Sequence, residues 1–440
     1  MIPLPAIPSS VRLIVRLALA TVGLLWLTGG LAAIGGGLPS KHWDAIVDLR
    51  AARAFMDGYT PFSEEGLVRA NLLELGPAGL GHPPTTAFWF LPLARNTEVV
   101  SSAILTFVVL LLLSLQVTQM VRLKQLPGSL LTSWLIIAYV VSCSFMRYHM
   151  NVGQISAVIG FWFFLAWAAA RRGHDLEAGL ALGAACTMKL FPGMVVAMFL
   201  LQRRWRVVLG AAVAYLGIAA IMTSQYGLAS WPVFLAQQSK IADLWMGSIQ
   251  NQSIHGVVAH IFSPICRPIG PVLSGPTFVS SVISLALFGF CAWLVWRSRA
   301  RRDAFDLQFW LFVVLSCVCS QWTWEHYSVI YVGPLLILAC HLLDRWRSGN
   351  WRNWSTAVTT TGIVAIVCSW QVDHMTKEGV QARYFNGDTT VHAKLHLLHV
   401  LNFAPGFLLL ALMMAALWAE GTRLARPVTG PAAPGAAASS

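Results

Sequence analysis

Long apolar runs set the pattern of this chain. Ser101–Met120, Ile155–Ala170, Phe278–Trp296 and Leu398–Trp418 contain no Asp, Glu, Lys or Arg. They approach or reach the ~20 residues a helix needs to cross a bilayer. Following such runs predicts spans at about Leu13–Ile34, Val99–Val121, Leu130–Met146 and Val152–Ala170, with Arg147–Gln154 as a short turn. Further spans are predicted at Val207–Met222, Phe278–Trp296, Leu307–Trp322, Ser328–Leu343, Thr356–Trp370 and Leu395–Ala419. No small-residue cleavage site follows the first, which reads as an anchor and not as a removed signal.

The segment Ala178–Leu201 breaks the alternation. It lies between the basic clusters Arg171–Arg172 and Arg203–Arg206, which the positive-inside rule places on one side. Two crossings are therefore required, and Lys189-Leu-Phe-Pro192 sits near their middle. Proline ends or kinks a helix, so two short arms are predicted, with Lys189 at the tip in a water-filled recess. The count becomes about twelve crossings, with both termini on the cytoplasmic side. The fold class is an all-α polytopic membrane protein. It forms one transmembrane domain over residues 1–426, with a first outer loop at about 35–98 and a disordered cytoplasmic Pro/Ala/Gly tail at 427–440.

Composition agrees. Hydrophobic residues make up 57% of the 440 and charged residues 11%, against ~25% charged in soluble domains. The net charge of +12 comes from short Lys/Arg clusters between apolar runs, a membrane-topology signature that argues against nucleic-acid binding. Seven of the eight Cys lie inside apolar segments, so no disulfide framework is expected. No His or Cys spacing suggests a metal site, and no cofactor is predicted.

Candidate chemistry gathers in the outer segments. Trp43–Phe62 reads as an amphipathic helix stopped by Gly58 and Pro61, with Asp44 and Asp48 one turn apart. Two readings compete: a solvated interfacial helix in which Asp48 pairs with Arg50 or Arg53, or a carboxylate held at the membrane surface as a general base. Gly81-His82-Pro83-Pro84 opens an apolar piece, Thr85–Leu93, too short to span. Lys189 in mid-span suits a phosphate. The donor-rich Gln250–Gly256 stretch, with Asn251 and Gln252, suits sugar hydroxyls. At a membrane exit, Glu325 and His326 sit between Trp324 and Tyr327, aromatic residues expected there as an interfacial belt.

Taken in order, these elements resemble the family-87 glycosyltransferases of the GT-C superfamily, which include polyprenyl-phosphate-mannose-dependent α-mannosyltransferases. The resemblance spans about Asp44 to Leu343. It rests on Asp44 with Gly58 and Pro61-Phe62, Pro83-Pro84 with Pro92-Leu93-Ala94, and Asn151-Val-Gly153-Gln154. It continues through Ala178-Gly179 leading to Lys189-Leu-Phe-Pro192, Asn251-Gln252-Ser253, and Trp324-Glu325-His326-Tyr327. The resemblance implies a GT-C-like bundle and an inverting transferase on the outer face of the cytoplasmic membrane. The implied donor is a polyprenyl-phosphate sugar, with mannose the default, and the acceptor a glycolipid or glycan. Asp44 or Asp48 would be the base, Lys189 and His326 the donor-phosphate partners, and His82, Gln154, Asn251, Gln252 and Glu325 substrate contacts. The chain departs from the family pattern at Asp48 and His82, where Tyr is common. A transporter or flippase of lipid-linked sugars would also explain the helices and an intramembrane lysine. A glycan polymerase or ligase would need a larger late loop than Gln371–Lys394.

Overall fold

The computed structural model describes residues 24, 43–72, 81–126, 128–248, 250–262, 274–299, 301, 303–347, 354–369 and 392–423. Most of the first predicted span, most of the Gln371–Lys394 loop and the predicted tail at 427–440 lie outside the described residues. Among the described residues every regular element is helical. In chain order these are α1 (Trp43–Met56), α2 (Glu64–Arg69), a 3-10 segment (Pro84–Leu93), α3 (Glu98–Leu123), α4 (Ser129–Ser142) and α5 (Ser144–Val152). There follow α6 (Ser156–Arg171), α7 (Asp175–Met188), α8 (Gly193–Leu201), α9 (Trp205–Tyr226), α10 (Ser230–Trp245) and α11 (Ile254–Phe262). The last are α12 (Ser274–Ser298), α13 (Phe305–Val318), a 3-10 turn (Glu325–Val329), α14 (Val332–Arg347), α15 (Trp354–Ser369) and α16 (His392–Arg423).

Among the described residues, length and apolarity suit five helices to crossing a membrane: α3, α9, α12, Glu325–Arg347 and Phe403–Glu420, with the bent pair α4–α5 a sixth. The sequence predicted about twelve crossings. Much of the difference lies in short apolar helices, including α6 and α13, which fall below a full span. Helix α13 shows how a short helix is accommodated: every residue from Asp306 to Val318 is buried, so protein and not lipid surrounds it. Around it, α3, α9 and α12 turn Phe107, Leu216 and Leu285 outward, at 65%, 63% and 72% exposure. A multi-pass membrane protein has this profile, with apolar side chains facing lipid.

Three local differences from the sequence reading stand out. Arg147–Val152 is not a turn but part of α5, bent by 66° from α4. The long segment after α9, between the predicted spans Val207–Met222 and Phe278–Trp296, contains α10 and α11. Arg50 and Arg53 do not pair with Asp48. Arg50 Nε binds Glu98 at 2.9 Å, and Arg53 donates to the Ala94 and Asn96 carbonyls at 2.9 and 2.7 Å. Geometry explains this, because at 3.6 residues per turn the two arginines lie on the opposite side of α1 from Asp44 and Asp48. The basic face therefore pins α1 to the start of α3, leaving the acidic face for the interior.

The hairpin forms as expected, with α7 ending at Met188 and α8 beginning at Gly193. Helix α7 lies tight against α9 through Gly179-Leu-Ala-Leu-Gly183. A Cβ on Gly179 would stand 2.1 Å from the Val207 carbonyl oxygen, and one on Gly183 2.4 Å from that of Ala211. Small residues four apart permit this approach where lipid supplies no hydrophobic drive between helices.

Charges mark the two ends of the bundle. Asp175, at the start of α7, pairs with Arg204. Asp306, at the start of α13, takes Lys124 Nζ at 2.5 Å, Arg171 at 3.6 Å and the Trp167 indole at 2.8 Å. Lys189 stands one α7 length away, ~21 Å at ~1.5 Å per residue. Lys189 thus occupies the end opposite the basic clusters Arg122–Lys124, Arg171–Arg172 and Arg203–Arg206.

Candidate active site

The break after α7 builds the centre of the site. Helix ends leave carbonyls without intrahelical partners, and here threonines meet them. Thr85 Oγ1 donates to the Thr187 carbonyl at 2.7 Å, and Thr86 Oγ1 to that of Met188 at 2.8 Å. The Trp89 indole donates to Thr187 Oγ1 at 2.9 Å. These bonds dock the Pro84–Leu93 segment on the broken helix and bring His82 beside Lys189. The sequence identified the Pro-Pro bend but gave no sign of Thr85, Thr86 or Trp89 as its anchors.

Lys189 is 7% exposed. Its Nζ donates to Gln154 Oε1 at 3.1 Å and Tyr327 Oη at 2.7 Å, and lies 4.4 Å from the Tyr327 ring centre. Phe191 stacks on that ring at 5.4 Å. Tyr327, read from the sequence as an interfacial aromatic, is therefore a direct partner of the buried ammonium. Gly153, at φ +72°, ends α5 and turns Gln154 toward it.

Lys189 opens into a cavity of about 610 Å³, whose walls include His82, Phe191, Gln238, Gln321 and Tyr327. His82 Nδ1 meets Asp48 Oδ2 at 2.8 Å. The two positions at which the chain departs from the family pattern thus touch each other. Asp48 is 4% exposed, and Asp44, one turn earlier on the same face, is half-buried. Burial raises the Asp44 carboxyl above its ordinary value of 3.8. The nearby His82 and Lys189 charges pull it back, and Asp48 adds to the rise. Asp44 therefore lies within the electrostatic reach of all three, while the cavity wall itself contains His82 and Lys189 and neither carboxylate.

Other predicted residues are placed differently. Asn251 Nδ2 donates to the Met246 and Gln321 carbonyls at 3.1 and 3.2 Å, while its Oδ1 accepts from Ser253 N and Thr323 N at 3.1 and 3.0 Å. That exhausts a side-chain amide, so Asn251 staples two loops and has no atom left for a sugar. Gln252 follows it into the same junction, donating its backbone N–H to Thr323 at 2.6 Å. Glu325 is buried and accepts from Ser144 Oγ at 2.9 Å, tying the turn to α5. His326 is buried behind Tyr327, its ring 5.7 Å from Tyr148 and 6.3 Å from His149. Among the described residues no three His, Cys, Asp or Glu side chains group as metal ligands.

Comparison with known proteins fits this arrangement. A mannosyltransferase of Mycolicibacterium smegmatis, described as a polyprenol-phosphate-mannose-dependent alpha-(1-2)-phosphatidylinositol mannoside mannosyltransferase, is 28% identical over 384 residues. The match covers 79% of each chain. Residues 81–320 match glycosyltransferase family 87. That stretch is more than half of the chain and holds His82, Lys189 and the Asn251 staple, so the protein belongs to glycosyltransferase family 87 and is a membrane glycosyltransferase.

Proposed function

We propose that the protein moves a mannosyl residue from a polyprenyl-phosphate donor to a glycolipid or glycan acceptor, with inversion, at the outer face of the cytoplasmic membrane. One observation carries this reading. A buried ammonium stands at a helix break in the wall of a cavity of about 610 Å³, with a paired carboxylate–imidazole beside it and a second carboxylate one turn away. A lipid phosphate needs a cation at the membrane boundary. A sugar acceptor needs a base.

In the proposed step Asp44 takes the acceptor hydroxyl proton as that oxygen attacks the anomeric carbon. The new carbon–oxygen bond forms while the bond to the phosphate oxygen breaks, and its electron pair leaves with the polyprenyl phosphate. Lys189 stabilises the charge gathering on that phosphate, with His326 behind Tyr327 as a further polar group. A phosphate leaves as an anion, so no second carboxylic acid is needed, unlike the paired acids of glycosidases. The polyprenyl tail stays in lipid. The outer placement is supported by the position of Lys189 opposite the basic clusters. The choice of mannose is supported by the description of the mycobacterial relative. Transfer is proposed to be metal-independent.

The test is transfer of radiolabelled mannose from polyprenyl-phosphate-mannose into membrane lipid extracts and phosphatidylinositol mannosides, using purified full-length protein with and without chelator. Labelled product unaffected by chelator is expected. An enzyme inert with this donor but active with another polyprenyl-phosphate sugar overturns the assignment of mannose. Inertness with every such donor overturns the reading as a whole.

A further inference from the structure

The Asp48–His82 pair has no part in the step just described, yet its geometry is specific. The ring stands on a rigid corner. Pro83 and Pro84 fix the backbone after it, Thr86 N–H returns to the Pro83 carbonyl at 2.9 Å, and Gln238 Nε2 donates to the Gly81 carbonyl at 2.9 Å. Asp48 occupies Nδ1 of the ring at 2.8 Å. An Nδ1–H in that position donates to the carboxylate, which leaves Nε2 as the ring's remaining polar atom. His82 is also part of the cavity wall.

The position of the pair indicates which substrate it meets. Asp48 follows Asp44 by four residues on α1, which puts their Cβ atoms ~5–6 Å apart on one face. The base must touch the acceptor hydroxyl, so its helical neighbour and the ring that neighbour holds stand on the acceptor's side. Lys189 serves the donor's phosphate.

We propose that His82, oriented by Asp48, reads the acceptor: its Nε2 shares a hydrogen bond with a second hydroxyl of the sugar whose first hydroxyl is presented to Asp44. His82 is then a specificity-determining contact and Asp48 a positioning residue. The proposal rests on the transferase reading above. It makes the acceptor a glycoside with at least two free hydroxyls near each other, and not a simple lipid alcohol.

The experiment uses the full-length protein in nanodiscs with polyprenyl-phosphate-mannose. Acceptors are phosphatidylinositol mannosides, alkyl mannosides and membrane lipid extract, and separate KM values for donor and acceptor are taken from whichever supports wild-type turnover. Removing one such hydrogen bond is expected to raise the acceptor KM ~10–100-fold in His82→Phe, with the donor KM within ~2-fold. His82→Gln, which restores a hydrogen-bonding side chain, should recover most of the loss. Asp48→Asn should raise the acceptor KM by less and add nothing in the double variant with His82→Phe. A donor KM that moves in place of the acceptor KM overturns the proposal. So does kcat falling in step with thermal stability across all the variants, or an acceptor KM that stays at the wild-type value. A wild-type protein inert toward every acceptor overturns the transferase reading itself, an outcome seen before any variant is made.

Discussion

Replacing Lys189 with methionine keeps most of the side-chain length and removes the charge. The loss can be worked from the site. At ~4 Å and an effective dielectric of ~20, an ammonium and a phosphate oxygen attract by about 4 kcal/mol. The share that grows as charge gathers on the leaving phosphate is what sets the rate. Single preorganised donors of this kind contribute about 3–4 kcal/mol, or ~10²–10³ in kcat. Lys189→Met also strips the ammonium from Tyr327 Oη and Gln154 Oε1, now at 2.7 and 3.1 Å. Buried polar groups left without a partner cost about 1–3 kcal/mol of stability. Rate and stability must therefore be separated. Single-turnover transfer of labelled mannose gives the chemical step, and tryptophan-fluorescence melting in the same detergent gives the folded fraction. The expected outcome is a chemical step slowed by ~10²–10³ in protein that still melts cooperatively. A folded Lys189→Met that transfers within ~3-fold of wild type, with unchanged donor KM, would remove Lys189 from the mechanism.

Three further outcomes follow from the same geometry. Burial raises the Asp44 carboxyl above 3.8, and a protonated carboxyl cannot take the acceptor proton. Transfer should therefore fall as the pH drops through a midpoint above the ordinary carboxylate value, and a pH–rate profile with no acidic limb there would contradict this. Gly183→Leu places a Cβ 2.4 Å from the Ala211 carbonyl oxygen; thermal melting should show a loss of about 1–3 kcal/mol or more from overpacking, against little change for Gly217→Ala, whose Cβ meets nothing within 4 Å. Asn251→Ala cuts four hydrogen bonds, two within the α10–α11 junction and two that staple it to the segment after α13, so melting should drop markedly while the Asn251→Asp variant loses less, since its oxygens still accept from Ser253 and Thr323.

The elements legible in the sequence are those set by local chemistry. Gly58, at φ +78°, and the polar burst around Pro61 ended α1 where expected. Pro192 and the extended Lys189 backbone gave the hairpin its break, and Lys189 stood out because an ionisable residue inside apolar sequence needs a reason. Contacts between distant segments were not legible. The Asp48–His82 bond joins residues 34 positions apart, and the Thr85–Thr187 bond residues 102 apart; no helical or strand period links such pairs. Asn251 misled for a related reason. Its donors and acceptors suited a sugar by composition, but their backbone partners at Gln321 and Thr323 belong to a loop about 70 residues later. Tyr327 was read as a belt residue because Trp and Tyr at a membrane exit are expected there. Only the fold shows that its hydroxyl faces Lys189. The run Leu307–Trp322, predicted as a span, is in the structure the short buried helix α13, since a helix wrapped by protein is free of the length that lipid imposes.

The proposed mechanism turns on Asp44 as the base of the sugar transfer. It is tested most directly by Asp44→Asn, measured for transfer, donor binding and thermal stability together. Folded-state burial raises the carboxyl, so Asp44 favours folding when protonated, and that contribution is lost as the pH rises through its raised folded value. At neutral pH an uncharged amide should therefore hold the fold at least as well as the carboxylate. Transfer is expected to fall ~10²–10⁴-fold, with donor affinity retained and a melting temperature equal to or above that of wild type. Transfer within ~10-fold of wild type in the folded, donor-binding variant would contradict it and take the base away from Asp44.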